Sequence, residues 1–181
     1  ETSQELRFSR QLLQATMENV AQGIAVADSE ARLVAWNGRY LEMFDYPSDM
    51  IRIGRPVADL IRWNALRGEF GATDPEEQIR KRIDHMRAGT RYVIQRQRRN
   101  GRVYEMRGQP MPDGGYVTTY NDITEFKHNE RQLLEAKQTL EQRVSERTQA
   151  LSIALQAEAA AKLAAEQANA TKTRFVAAAS H

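Results

Sequence analysis

Gly115-Tyr-Val-Thr-Thr-Tyr-Asn-Asp-Ile-Thr124 decides how this chain is read, because two kinds of sequence meet in it. Tyr116 to Tyr120 is β-branched and aromatic, which suits a strand on a pleated, half-buried surface. Asp122 and Thr124 carry oxygens that accept hydrogen bonds from the unpaired N–H groups opening a helix, and either residue can serve as the cap. Ile123 between them is apolar and is expected to pack back on the sheet. Gly115 is also the last Gly or Pro of the chain. A strand therefore passes into a helix with no breaker before His181.

The stretch from Asp122 to His181 is rich in Ala, Leu, Glu, Gln, Lys and Arg, the strongest helix formers. Such a helix is on the order of 85 Å long. That exceeds what a compact domain of this size buries, so its apolar stripe needs a partner. Leu133, Leu140, Val144, Leu151 and Leu155 step by seven, four, seven and four residues, with Lys137 and Arg147 or Thr148 filling the wider gaps. This is a coiled-coil seam with some charged core positions. Beyond Leu155 the next positions are Ala159 and Leu163; the four-after-four spacing is a stutter that locally unwinds a left-handed supercoil. Ala-rich residues 157 to 170 allow close approach with little packing energy. The expectation is a parallel two-stranded coiled coil with a soft middle near Leu151 to Leu163. Glu141-Gln-Arg-Val-Ser-Glu-Arg147 reads as a solvated face with i,i+4 pairs.

Upstream, residues 3 to 21 place Leu6, Leu13, Met17 and Val20 at helical spacing, predicting an amphipathic helix capped by Gly23. Gly23 to Asp28 and Arg32 to Trp36 read as a hairpin stopped by Asn37-Gly38. Arg39 to Phe44 is a short helix, Ser48 to Ile53 another with Ser48 as N-cap, and Val57 to about Gly68 a third. Asp74-Pro75-Glu76-Glu77 is a helix start, with Pro at the first position and acids in the first turn. That helix is expected to run to Ala88. Thr90 to Arg98 and Arg102 to Gln109 flank Asn100-Gly101, the signature of a two-residue type I′ hairpin. The order predicts an α+β fold: a five-stranded antiparallel sheet with helices on one face.

The chain has 181 residues, 26 cations against 24 anions, and no cysteine. Near-balanced charge gives no electrostatic case for nucleic acid. Without Cys there is no disulfide, thiolate metal site or Cys nucleophile, which fits a cytoplasmic location. A mean hydropathy of −0.66 suits a long solvated helix attached to an ordinary core. No membrane span or signal peptide is expected. The chain reads as a segment of something larger.

The order of elements resembles a PAS domain over about residues 15 to 124. Ile24-Ala-Val-Ala-Asp28 with Leu33-Val-Ala-Trp-Asn37 is similar to the family's opening hairpin and its frequent closing Asn. Arg98-Arg-Asn-Gly-Arg102 resembles its polar turn before the fourth strand. Gly115 to Thr124 resembles its last strand with the Asp-Ile-Thr exit. The resemblance implies that Asp122, Ile123 and Thr124 couple a sensor sheet to an output helix. Phe175-Val-Ala-Ala-Ala-Ser-His181 resembles the opening of a sensor histidine kinase's phosphoacceptor box, and Lys172-Thr-Arg-Phe175 before it resembles hybrid kinases that carry a receiver domain. Phe175, Ala178 and Ala179 form a narrow stripe of mostly small residues, with His181 about 120° from Phe175 and exposed. A phosphoacceptor imidazole needs that exposure, and its unperturbed pKa near 6.5 leaves it largely neutral and nucleophilic.

These resemblances imply four segments: an N-terminal helix (1–22), a PAS sensor (23–124), a coiled-coil linker (125–170) and the start of the phosphoacceptor helix (171–181). They imply a homodimer through the coiled coil, with the N-terminal helix as a second contact. A response-regulator receiver domain and an upstream sensor protein are the further partners. ATP and Mg²⁺ belong to the parent kinase, whose ATP-binding boxes are absent here, so this segment should be inactive alone. No cofactor is expected in it. The alternative is a PAS dimerisation or ligand-sensing module, haem or flavin, driving another output such as a nucleotide cyclase. A haem version uses a His on the helix before the third strand, where His85 lies at the edge of the Ile79–Ile83–Met86 stripe. A flavin photoadduct needs the missing Cys; a redox flavin would sit near Trp36 or Trp63. Arg96, Arg98, Arg99, Arg102 and Arg107 cluster around the hairpin, as an anion or partner site or as an exposed polar edge that discourages strand addition.

Overall fold

The computed structural model describes residues 2–180. Its elements, in order, are α1 (Thr2–Asn19), β1 (Gly23–Ala27), β2 (Leu33–Trp36), α2 (Gly38–Phe44), α3 (Val57–Leu66), α4 (Pro75–Ala88), β3 (Tyr92–Gln97), β4 (Val103–Pro110), β5 (Tyr116–Asp122) and α5 (Thr124–Ala179). The strands form one antiparallel sheet in the order β2-β1-β5-β4-β3. The expected α+β class and five-stranded sheet are therefore what the chain adopts. The chain divides into two compact units, Glu1–Lys127 and His128–His181.

Strand β5 is the middle strand of the five, paired with β1 on one edge and with β4 on the other. Tyr116, Thr118 and Tyr120 alternate into the core along it, as period-2 geometry requires. Gly108 of β4 sits opposite Thr118. A Cβ there would collide with the Tyr92 and Tyr116 side chains. Its absence lets those rings stack with centroids 6.2 Å apart.

Asn37 joins three elements. Its Oδ1 accepts from Ile24 N at 2.9 Å and from Tyr40 N at 3.1 Å, the second bond capping α2. Its Nδ2 donates to Met17 O at 2.8 Å and Gln22 O at 2.9 Å. The residue has 0% exposure. This explains a correction: α1 stops at Asn19 and Gly23 opens β1 rather than capping the helix. The carbonyls near the end of α1 find a side chain from across the fold instead of a glycine turn. Gly23 is needed for contact, since a Cβ there would come within 2.9 Å of Met43 Sδ.

Two other expectations are corrected. Residues 48–53 form a turn closed by Met50 N donating to Pro47 O, not a helix. Arg55 donates to the carbonyls of Met50 and Asp49 at 2.9 and 3.1 Å, which takes the acceptors a helix would need. The Asn100-Gly101 hairpin is not type I′, because only Gly101 has positive φ (+83°). Gly101 N donates to Arg98 O at 2.9 Å and Arg98 N to Arg102 O at 2.8 Å. The loop is one residue longer than a two-residue hairpin, with Gly101 in the left-handed position that follows a tight turn. By contrast α4 starts as read: Asp74 accepts from Glu76 N at 3.1 Å, and Gly89 (φ +62°) ends the helix.

Replacing Asn37 with Ala removes the α2 cap and strands buried backbone groups at once. The expected loss is about 2–4 kcal/mol of unfolding free energy, read as a lower urea midpoint.

Candidate functional site

The sheet and helices α2, α3 and α4 enclose a cavity of about 60 Å³. Its walls are largely aromatic. Tyr40, Phe44 and Tyr120 pack with ring centroids 4.9 to 5.3 Å apart. All six tyrosines of the chain stand on or beside it: five line it, and Tyr92 contacts Arg82 in its wall. Tyr40 Oη donates to Tyr46 Oη at 3.2 Å, and Asn64 Nδ2 donates to the same oxygen at 2.8 Å. Burial pushes the Tyr40 phenol well above its usual range, reinforced by neighbouring Tyr46 and Tyr120. Burial likewise raises Tyr46, and raises Tyr116 to about 12. These phenols therefore remain neutral hydrogen-bonding groups across the range in which proteins work.

Three arginines reach this wall in different ways. Arg98 pairs side-on with Glu69, at 3.0 Å from Nε and 2.9 Å from Nη2. The side chains are only 8% and 10% exposed. Arg98 also donates to the Met43 carbonyl, and its guanidinium lies 4.8 Å from the Phe44 ring centre. Burial pushes the Glu69 carboxyl up, but the hydrogen bonds and charge of Arg98 outweigh it and hold the group below its usual value. Arg99 adds a bond to the Arg67 carbonyl at 2.6 Å. The loop after α3 is thus strapped to the β3–β4 hairpin. Arg96 lies 4.4 Å over Phe70. Arg82 donates to Tyr92 Oη at 3.0 Å, and its Nη2 lies 4.0 Å from Met106 Sδ. Among the described residues no carboxylate pairs with Arg82 or Arg96.

This corrects in part the reading of the hairpin arginines as an exposed edge; Arg96 does lie on the edge strand β3, and Arg99, Arg102 and Arg107 are exposed. Arg98 is buried in an ion pair, and Arg102 and Arg107 lie beside or on the interior strand β4, paired with Asp122 and Glu105. The edge strands are β2 and β3. A cationic cluster in sequence becomes separate contacts because alternate strand residues face opposite sides.

The end of β5 forms a second compact arrangement. Asp122 Oδ1 accepts from Thr124 N at 3.0 Å and Thr124 Oγ1 at 2.5 Å. Its Oδ2 accepts from Arg102 Nη1 at 2.6 Å. Thr124 Oγ1 accepts from Val103 N at 3.0 Å, and Ile123 N donates to Val103 O at 2.9 Å. The Ile123 carbonyl then takes Lys127 N at 2.9 Å, the first bond of α5. Of the two caps open in the sequence, Asp122 is the one that accepts a helix N–H. Thr124 instead ties the helix start to β4. Burial raises the Asp122 carboxyl, but Thr124 and Arg102 together hold it below its usual range.

Along α5, Leu133, Leu140, Val144, Leu151 and Leu155 are each more than half exposed, and no described residue of this helix is buried. His181 lies outside the described residues. His85 is exposed on α4, with its ring centre 5.8 Å from that of Tyr92, and it does not line the cavity. Trp36 and Trp63 do not line it either. Arg82, Asn64 and Glu69 were not singled out from sequence. A signal for Arg82 existed: it stands on the Ile79–Ile83–Met86 stripe, where a charged residue is out of place.

A family model described as PAS fold matches residues 17–131, well over half of the chain. The chain belongs to the PAS family. No curated protein sequence matches it. Among solved structures it is similar to the PAS domain of BvgS from Bordetella pertussis, at 18% identity and a TM-score of 0.48, over 72% of this chain and 98% of that one. It is similar to the PAS domain of an HTR-like protein from Haloarcula marismortui, at 18% identity and a TM-score of 0.46, over 67% and 98%. A domain of a sensory box sensor histidine kinase/response regulator from Geobacter sulfurreducens shows 18% identity and a TM-score of 0.44, over 65% and 96%. Among the described residues no helix is long and apolar enough to cross a membrane.

The Glu69 carboxyl is held below its ordinary 4.5 in the folded state. Its contribution to stability is therefore full above pH 4.5 and is lost as pH falls through the lower, folded-state value. The Glu69→Gln variant should be less stable at pH 7, and the gap from wild type should narrow below pH 4.5. Urea midpoints measured from pH 3 to 7 check both.

Proposed function

We propose that this chain is the sensory and relay segment of a two-component histidine kinase. The PAS unit takes the input, Asp122, Ile123 and Thr124 couple it to α5, and His181 accepts the phosphoryl group. The observation that carries this reading is α5, 56 residues from Thr124 to Ala179 with its heptad leucines exposed. Exposed apolar residues at that spacing favour a second helix, and a second copy of the chain supplies an identical one. The Phe175 to His181 box supports the chemical endpoint.

In this reading two chains pair in parallel through Leu133, Leu140, Val144, Leu151 and Leu155, with α1 as a further contact. α1 likewise buries none of its described residues, and Leu6, Phe8, Leu12 and Leu13 are exposed. A kinase domain of the parent protein holds ATP and Mg²⁺, and the neutral imidazole of His181 attacks the γ-phosphorus as ADP leaves. A receiver aspartate then takes the phosphoryl group. The reaction proceeds in the cytoplasm, where ATP is supplied.

Because the chain has no cysteine, single Cys variants report pairing cleanly. Leu140→Cys and Leu155→Cys should form oxidant-dependent dimers on a non-reducing gel, while Gln142→Cys should form far fewer. Equal yields at all three positions would exclude a parallel seam there. In the parent kinase supplied with ATP, His181→Gln should abolish the acid-labile phosphoprotein, a loss of at least 100-fold. Undiminished labelling would remove His181 from the pathway.

A further inference from the structure

Within the cavity, one charge and one amide lack the partners that burial ordinarily demands. Among the described residues the Arg82 guanidinium hydrogen-bonds only to neutral groups: Tyr92 Oη at 3.0 Å and the Met106 thioether at 4.0 Å, with the phenol of Tyr120 beside it. A thioether is a weak acceptor. Arg82 is only half-buried, but even a guanidinium partly withdrawn from water is ordinarily paired with a carboxylate. The neighbouring Arg98 shows the usual solution, with Glu69 on it at 2.9 Å. Asn64 also lines the cavity; it is 6% exposed, and among the described residues its Oδ1 has no hydrogen-bond partner. Reversing the amide moves the vacancy to the nitrogen without filling it, since Tyr46 engages only one end. Of the cavity's charged side chains, three are guanidinia, on Arg82, Arg96 and Arg98, and one is the Glu69 carboxylate.

We propose that this cavity binds a small monocarboxylate, whose charged end pairs with Arg82 and whose short aliphatic end lies against Leu60, Met86 and Met106. The planar fork of a guanidinium matches a carboxylate edge to edge. The size limits the ligand. A single water needs about 10–15 Å³ and a benzene-sized guest about 150 Å³. A volume of about 60 Å³ lies between them. That range fits an acid of acetate to butyrate size and leaves no room for a haem or a flavin ring. Asn64 lines the same cavity, so an acid carrying a hydroxyl that fills its vacant end should bind more tightly than its deoxy counterpart. This assignment stands on the PAS cavity alone and holds whatever output α5 drives.

The experiment uses the whole chain and propionate as probe. Propionate should raise the melting temperature in a dose-dependent way, with a dissociation constant on the order of millimolar for so few atoms. Lactate should bind more tightly than propionate; equal affinity removes Asn64 from the site but leaves Arg82. Propionamide and sodium chloride at equal concentration should leave the melting temperature unchanged. Arg82→Met should weaken propionate binding at least tenfold, while Arg107→Met, outside the cavity, should leave it unaltered. An equal shift with propionamide, or full binding by Arg82→Met, overturns the proposal. If Arg82→Met does not fold, the wild type decides. With methyl-labelled methionine, nuclear Overhauser contacts from the propionate methyl to the Met86 and Met106 methyls support the assignment. Their absence at saturating propionate means that water alone fills the cavity.

Discussion

The PAS unit depends on the full satisfaction of Asn37. An Asn side chain offers two acceptor positions and two donors, and here all four are used. The bonds join the end of α1, the start of β1 and the start of α2, with no water to compete at 0% exposure. One turn later, α2 delivers Tyr40, Met43 and Phe44 into the core. Glu18 reinforces the same joint by accepting from Gly38 N at 3.0 Å. A single buried amide thus sets the position of the aromatic wall, and through it the space the cavity occupies.

Two arginines on that wall show how burial sorts identical side chains into different roles. Arg98 brings its own carboxylate, and the pair straps the α3–α4 loop to the hairpin. Arg82 brings none, and phenols stand where a carboxylate would be expected. Hydrogen bonds to phenols ease the desolvation of a guanidinium without cancelling its charge. That imbalance sets the wall at Arg82 apart from the structural brace at Arg98.

Strand β5 places the cavity and the junction on one element. Tyr116, Thr118 and Tyr120 face inward by strict alternation, and Asp122 follows two residues after Tyr120. Tyr104 of β4, also in the cavity wall, is the ladder partner of Asp122. The sheet register therefore leaves only a short covalent and hydrogen-bonded path between cavity side chains and the first turn of α5. That path supports the proposal that Asp122, Ile123 and Thr124 couple the two.

Elements whose causes are local can be read from the residues alone. Asp74-Pro75 with Glu76 and Glu77 carries its own helix-start signal, Gly89 ends that helix, and the absence of Gly and Pro after Gly115 permits a single helix of 56 residues. The β-branched and aromatic content of residues 116 to 120 marked a strand for the same reason. Tertiary structure decided everything that depends on a partner distant in the chain. Gly23 could not be separated from a helix cap without Met43, nor residues 48–53 from a helix without Arg55. Arg98 could not be told from a surface cation without Glu69, 29 residues away. Arg82 and Asn64 acquired meaning only when three helices and the sheet closed around them. Local signals record what a residue can do alone; burial, which sets the cost of an unpaired charge, exists only after the chain has folded.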